Sequence, residues 1–216
     1  MPTSDKNWIF PVENDDLIPE MIGKTYQQGH RDIILKFLKD NNCKFRNCCD
    51  IGAHVGIWSN DFVEYFSWVY AFEPIKELRL CYQKNITKSN YTLYPFGLGN
   101  LNKEIQFKYE PEHSKNTQVN SEGNYTAKIC KLDDLDLQNI DYIKMDAEAY
   151  ELEILKGATN LLKNQSPVIH LEMKLGGLSK FNLSKQDIRD WLLEFKYRQV
   201  LKVANEFVFV KDADIR

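Results

Sequence analysis

A chain of 216 residues, 43% hydrophobic and 27% charged, has the size and composition of one soluble domain with a real core. Its formal charge of −3 excludes the strongly basic balance of a dedicated nucleic-acid binder. No apolar run approaches the roughly 20 residues of a membrane span. The opening stretch MPTSDKNWIFPVENDD lacks the basic-then-apolar order of a secretory signal, so a cytoplasmic protein with no membrane contact is expected.

After an irregular lead, HRDIILKFLKDN carries apolar residues at helical spacing, with Ile33, Ile34, Phe37 and Leu38 expected on one face. FRNCCDIG then reads as a strand, GIWSNDFVEYF as a helix and SWVYAFEP as a strand closed by Pro74. IKELRLCYQKNI reads as a helix and YTLYPFGLG as another strand. This alternation predicts βαβ units and a parallel sheet. KEIQFKY alternates apolar and polar residues like a half-exposed strand, and a long polar loop, PEHSKNTQVNSEGNY, follows it. IDYIKMDA is the next strand and AYELEILKGATNLLKN the next helix. SPVIHLEMK is a strand, and SKQDIRDWLLEF is a helix with Ser184 as its N-cap. YRQVLKV and EFVFVKD flank Ala204–Asn205 and predict a closing antiparallel hairpin. No repeat or linker divides the chain, so a single domain over 1–216 is expected, with 1–42 a helical lead or cap and 43–216 the core.

Cys43, Cys48, Cys49, Cys81 and Cys130 contain no C-x-x-C pair, and two of them fall in an apolar strand. They read as reduced core thiols. His30, His54, His113 and His170 are scattered without ligand spacing, so no metal site is predicted.

The stretch CCDIGAHVGIWS places Asp50, Gly52 and Gly56 at a strand-to-helix turn. Ligands of parallel α/β sheets bind outside such carboxyl ends. Glycine lets the backbone approach a ligand, and the helix beyond offers free N–H groups. Glu73 ends the next strand, where an acid can grip a ribose hydroxyl pair. The dinucleotide pattern G-x-G-x-x-G is absent, since His54 takes the middle slot and Ser59 the third. An acid directly before the glycines suits a ligand with a cationic amino-acid end better than a pyrophosphate.

DIGAHVGIWS, YAFEP, FGLGN, LDDL and IDYIKMDAEAYELEILKGA, in that order, resemble the FkbM family of S-adenosylmethionine-dependent methyltransferases. The resemblance runs from about Phe45 to Glu172. It implies a class I methyltransferase fold: a Rossmann-like α/β three-layer sandwich with a mostly parallel seven-stranded sheet and an antiparallel last strand. By the same resemblance, Asp50, Gly52, Ala53, His54, Gly56 and Ser59 would bind the methionine side of the cofactor. Glu73 and Pro74 would lie at the ribose, and Phe96, Gly97 and Leu98 near the adenine.

KMDAEAYELE sets Asp146 at a strand end, with Glu148 two residues on. Methyl transfer to oxygen requires removal of the hydroxyl proton, which a carboxylate in hydrogen-bond reach can perform. Two carboxylates could instead hold a divalent cation. Base or acceptor positioning ranks above metal here, and Asp146 also belongs with the cofactor residues. Glu172 ends the next strand and could face the acceptor; His170, on the same face, reads as structural. The acids Glu151 and Glu153 fit a helix N-terminus. The family's usual DVEGYE stands here as DAEAYE, and Ala149 in the glycine slot tolerates positive φ poorly.

The expected function is methyl transfer from S-adenosylmethionine to an oxygen of a sugar or other small hydroxylated metabolite. The rivals are a non-catalytic module binding S-adenosylmethionine and an NAD-dependent oxidoreductase, the latter opposed by the missing glycine fingerprint.

Overall fold

A computed structural model describes residues 8–21 and 26–212, and all that follows concerns these; the first seven residues of the lead, residues 22–25 and the last four lie outside them. In chain order the helices and strands are α1 (Ile18–Met21), α2 (Gln28–Asp40), β1 (Asn47–Ile51), α3 (Ile57–Tyr65), β2 (Trp68–Phe72), α4 (Lys76–Asn85), β3 (Tyr91–Tyr94) and β4 (Gly97–Leu98). There follow β5 (Lys103–Lys108), β6 (Gln118–Val119), β7 (Tyr125–Cys130), β8 (Ile140–Met145), α5 (Glu151–Lys156), α6 (Thr159–Gln165) and β9 (Val168–Glu172). The chain closes with α7 (Leu175–Leu178), α8 (Lys185–Glu194), β10 (Tyr197–Val203) and β11 (Glu206–Lys211).

Seven strands form one sheet in the order β10-β11-β9-β8-β1-β2-β3. The five from β9 to β3 are parallel, and β11 runs antiparallel between β9 and β10. The closing hairpin is therefore as expected, turning at Ala204 in a left-handed conformation. Strands β1, β8 and β9 are buried over nearly their full length, as parallel strands covered on both faces must be. One face packs on α2, α3 and α4 through Ile34, Leu38, Trp58, Phe62 and Tyr82. The other packs on α5, α6 and α8 through Ile154, Leu155, Leu162 and Leu192. The result is a three-layer α/β sandwich. Strand order reverses between β1 and β8, which fixes where a ligand crevice opens.

Several local expectations are corrected. The buried face of α2 is Arg31, Ile34, Leu35 and Leu38, while Ile33 is 46% exposed. Arg31 comes inside because its guanidinium pairs at 2.6 Å with the equally buried Asp61 of α3. YTLYPFGLG is two strands rather than one: proline supplies no N–H at Pro95, and β4 beyond it joins a second sheet, β4-β7-β5-β6. The expected helix over AYELEILKGATNLLKN breaks at Gly157, whose added Cβ would stand 1.9 Å from the carbonyl oxygen of Gly99. Asp133, in the LDDL motif, restarts the chain as α6 by accepting from the N–H groups of Asn160 and Leu161, both at 2.9 Å. Ser184 caps α8 in a complete capping box, as predicted. All five cysteines are free, and four are buried.

Candidate active site

The glycine turn and the end of β8 are pressed together backbone to backbone. Gly52 has φ +75°, and a Cβ there would lie 1.9 Å from the carbonyl oxygen of Asp146. The N–H groups of Gly52 and Ala53 both donate to the Phe72 carbonyl, at 3.1 and 3.0 Å, tying the turn to the end of β2. His54 also takes positive φ, which aims its N–H at the Glu73 carboxylate, 3.0 Å away. The other Glu73 oxygen accepts from the Ile75 N–H at 2.8 Å. Burial pushes the Glu73 carboxyl up to about 7 against these two donors.

Around this turn lies a cavity of about 320 Å³, within the range of small-molecule sites. Gly52, Ala53, His54, Glu73, Pro74, Gly97, Leu98, Asp146 and Glu148, all expected site residues, line it. Its cover comes from the N-terminal segment (Leu17, Glu20, Tyr26 and Gln27) and from Ser114 to Val119 of the middle loop. Ser114 ties the two together, donating to Asp15 and meeting His54 Nε2 at 2.8 Å. Burial lowers the His54 imidazole to about 4, so the ring is neutral at physiological pH.

Beyond the ends of β8 and β9 three carboxylates converge, with oxygens of Asp146, Glu148 and Glu172 all within 4.8 Å of one another. Lys174 bridges two of them, its Nζ lying 2.6 Å from Glu148 and 2.9 Å from Glu172. Lys144, also on the cavity wall, sits 3.6 Å from Asp146 and 3.7 Å from Asp50. Burial alone would raise Asp146, but Lys144, a hydrogen bond from Glu172 and Lys174 hold it well below the usual carboxylate range. Burial and the Asp146 charge push Glu172 the other way, to about 9. The pair thus shares one proton, resident on Glu172. Burial and then Asp146 raise Glu148, with Lys174 opposing.

Residues 50–199, well over half of the chain, match the model of the methyltransferase FkbM domain. The chain belongs to the FkbM methyltransferase family. A curated relative, the hexuronic acid methyltransferase AglP of Haloferax volcanii, is 29% identical over 152 residues, covering 66% of this chain and 62% of the relative. The chain thus spans less than two thirds of that relative's length. The crystal structure of methyltransferase FkbM from Methylobacillus flagellatus KT is similar at a TM-score of 0.56 and 18% identity, over 76% of this chain and 43% of that one. Magnesium protoporphyrin IX methyltransferase from Synechocystis PCC 6803, crystallised with bound SAH, gives 0.51 and 13% identity over 91% and 88%. At such identities the likeness is one of fold, and that fold is the class I methyltransferase sandwich.

Four residues that the FkbM resemblance assigns to the cofactor lie off the cavity wall. Asp50 is fully buried beneath the turn, accepting from Ser59 Oγ at 2.6 Å and facing Lys144. Ser59 is spent on that bond. Gly56 meets Ile86 and Tyr82 of the α4 region, so its missing side chain serves packing. Phe96 packs at a tilt against the rings of Phe72 and Tyr94. Glu172 does not line the cavity and meets it through its contacts with Asp146 and Lys174 and its nearness to Glu148. His170 is structural as expected, held between the Tyr142 hydroxyl at 2.6 Å and Glu206 at 2.8 Å.

The DAEAYE variation is accommodated. Glu148 and Ala149 both adopt positive φ, +49° and +79°. Glu151 braces them from below, one oxygen accepting from the Ala147 N–H at 2.9 Å and from the Ala149 N–H at 3.3 Å. That role adds to the expected helix-end place of this acid, which stands in the first turn of α5. Lys144, Lys174 and Glu151 are the site residues missed from sequence. Lys144 had a signal: a lone cation inside an apolar run of a fully covered strand needs carboxylates around it.

The shared proton makes a stability prediction. Glu172 holds its proton to about 9 in the fold, against a usual value of 4.5. The folded chain therefore retains a proton that the unfolded chain releases, and this stabilisation, complete below 4.5, is lost as pH rises through about 9. Glu172→Gln keeps a donor toward Asp146 but cannot titrate. We predict that its urea midpoint falls less than the parent's between about pH 6 and about pH 9. Equal falls in the two chains would rule the coupling out.

Proposed function

We propose that the chain transfers the methyl group of S-adenosylmethionine to an oxygen of a sugar or other small hydroxylated metabolite. The observation that carries this reading is the single cavity holding Glu73 at one strand tip and the Asp146–Glu148 pair at another, with the Gly52 turn between them. Those residues fit a nucleoside ending in a cationic amino acid. Glu73 has lone pairs left for two ribose hydroxyls, Leu98 and Pro74 offer apolar surface to a base, and ionised Asp146 offers an anion to an ammonium. The cradle at Gly52 has no room for a side chain. When bound, S-adenosylmethionine would supply an electrophilic methyl on a sulfonium. The sugar class of acceptor is supported by the Haloferax relative, a hexuronic acid methyltransferase.

Within this scheme the chain's own groups divide the work. Asp146, held ionised by Lys144, is a weak base and a good anchor for positive charge. Glu148, with its raised affinity for protons and its place on the cavity wall, is the better general base for the acceptor hydroxyl. Lys174 then stabilises the carboxylate pair on either side of the proton transfer. Leu17, Glu20, Tyr26 and Gln27, with the segment 114–119, exclude water and fix the reactants.

The test is a calorimetric titration with S-adenosylhomocysteine. Saturable 1:1 binding in the parent, lost in Glu73→Ala, is expected; a well-folded parent that binds nothing sinks the reading. A pH dependence accompanies it. Glu73 must be ionised to accept the ribose hydroxyls, and its carboxyl titrates at about 7. We predict that affinity falls roughly tenfold for each pH unit below that value. Flat affinity across this range would show that Glu73 does not take the hydroxyls.

A further inference from the structure

The main cavity shares Asn116, Gln118 and Glu148 with a second depression of about 430 Å³. That depression shares Lys108, Gln118 and Lys180 with a third, of about 610 Å³, which runs along the edge of the second sheet. The three form one groove leading outward from Glu148, the proposed base. Its chemistry changes along the way. The cavity around the glycine turn is largely apolar, the second depression sets Lys108 and Lys180 against Glu110 and Glu148, and the outermost is cationic. The third depression is lined by Lys103, Lys108 and Lys180 and by no acid.

The cations are only partly neutralised, Lys180 by the field of Glu148 in the same depression. Lys180 Nζ donates to the neutral Gln118 Oε1 at 2.7 Å, and among the described residues no carboxylate lies within 4.0 Å of it or of Lys103. Lys108 meets Glu110 at 3.1 Å, but both side chains are about half exposed, where such pairs are weak. Beside Lys180 stand the rings of Phe181 and Tyr150, centroids 6.1 Å apart and inclined at 65°. Such rings offer the C–H face of a sugar an apolar wall, while the lysine ammonium meets an anion.

We propose that this groove is the acceptor subsite and that it takes an acidic oligosaccharide, with the anionic group seated on Lys180 and the reacting oxygen at Glu148. The proposal rests on the methyltransferase reading. It adds that the acceptor extends past one ring, because the groove continues past Lys180, and that it carries a carboxylate or phosphate away from the reacting oxygen. A nucleic acid is disfavoured by the short aromatic surface, one tilted pair where a strand of bases needs successive platforms.

The test measures binding to the full chain, with and without S-adenosylhomocysteine, of three probes: cellobiose, cellobiouronic acid and a cellobiose phosphate. An RNA octamer is the fourth. We expect one or both acidic disaccharides to bind at least about tenfold more tightly than cellobiose, the stronger of the two naming the anion. Lys180→Glu should erase that preference and Lys180→Gln should reduce it, both leaving S-adenosylhomocysteine affinity within about twofold. Equal affinity for cellobiose, indifference of the acidic probes to Lys180→Glu, tighter RNA binding, or no disaccharide binding would each overturn the proposal. Loss of the methyltransferase reading shows separately, as absent S-adenosylhomocysteine binding, while the sugar comparison made without that ligand still decides the groove.

Discussion

We predict that Gly52→Ala destabilises the fold by about 2–5 kcal/mol and abolishes binding of S-adenosylhomocysteine. Two costs combine. At φ +75° an L side chain is strained by about 1–2 kcal/mol. The added methyl would also stand 1.9 Å from the Asp146 carbonyl oxygen, so β1 and β8 must part, at roughly 1–3 kcal/mol for overpacking. The carbonyl belongs to backbone and cannot swing aside. Parting those strands moves the turn away from Asp146 and Glu148, the two halves of the site. Gly176→Ala is the control: nothing lies within 4 Å of its added Cβ, and it should be neutral or slightly stabilising. Urea denaturation measures the stability and calorimetry the binding. Parent-like behaviour of Gly52→Ala in both would mean that the turn does not require this contact.

How far the sequence revealed this site depends on the range of the interaction that forms each part. Strand ends were legible, because apolar runs stop where the chain leaves the sheet, and so Gly52, Glu73, Asp146 and Glu148 were found together. The second sheet was only half legible. KEIQFKY shows its alternation, but YTAKIC, which pairs with it as β7 and alternates just as plainly, is given no element in the sequence reading beyond Tyr125 at the end of the polar loop. The helix break at Gly157 depends on the Gly99 backbone, 58 positions away in the chain, and no local pattern announces it. Side-chain aim was the least legible. Asp50 looked like a ligand residue because it precedes the glycines, yet period-two alternation along β1 turns it into the helix-covered face beside Lys144. Lys174 follows the last parallel strand in a stretch with no strong pattern, and only the fold brings it to Glu148.

The division of labour between Asp146 and Glu148 gives the second large effect. We predict that Glu148→Gln lowers kcat by about 10²–10⁴-fold while leaving S-adenosylhomocysteine affinity nearly unchanged. Glutamine keeps the size and the polar contacts but cannot take the acceptor proton. Asp146→Asn should act the other way, weakening S-adenosylhomocysteine by about 10–100-fold through loss of a charge-assisted bond worth about 1.5–3 kcal/mol. It also leaves buried Lys144 with Asp50 alone of its two carboxylate partners, so unfolding must be followed alongside, and only a folded variant is informative. The pH profile separates the roles further. Glu148 must be ionised to act, and its carboxyl is raised above the ordinary range, so parent kcat should decline as pH falls through that raised value. Residual Glu148→Gln activity should lack that acidic limb. If instead Asp146→Asn loses kcat with intact binding while Glu148→Gln stays active, the proton goes to Asp146. The strong ionisation of Asp146 beside Lys144 would then have to be relieved when both reactants bind.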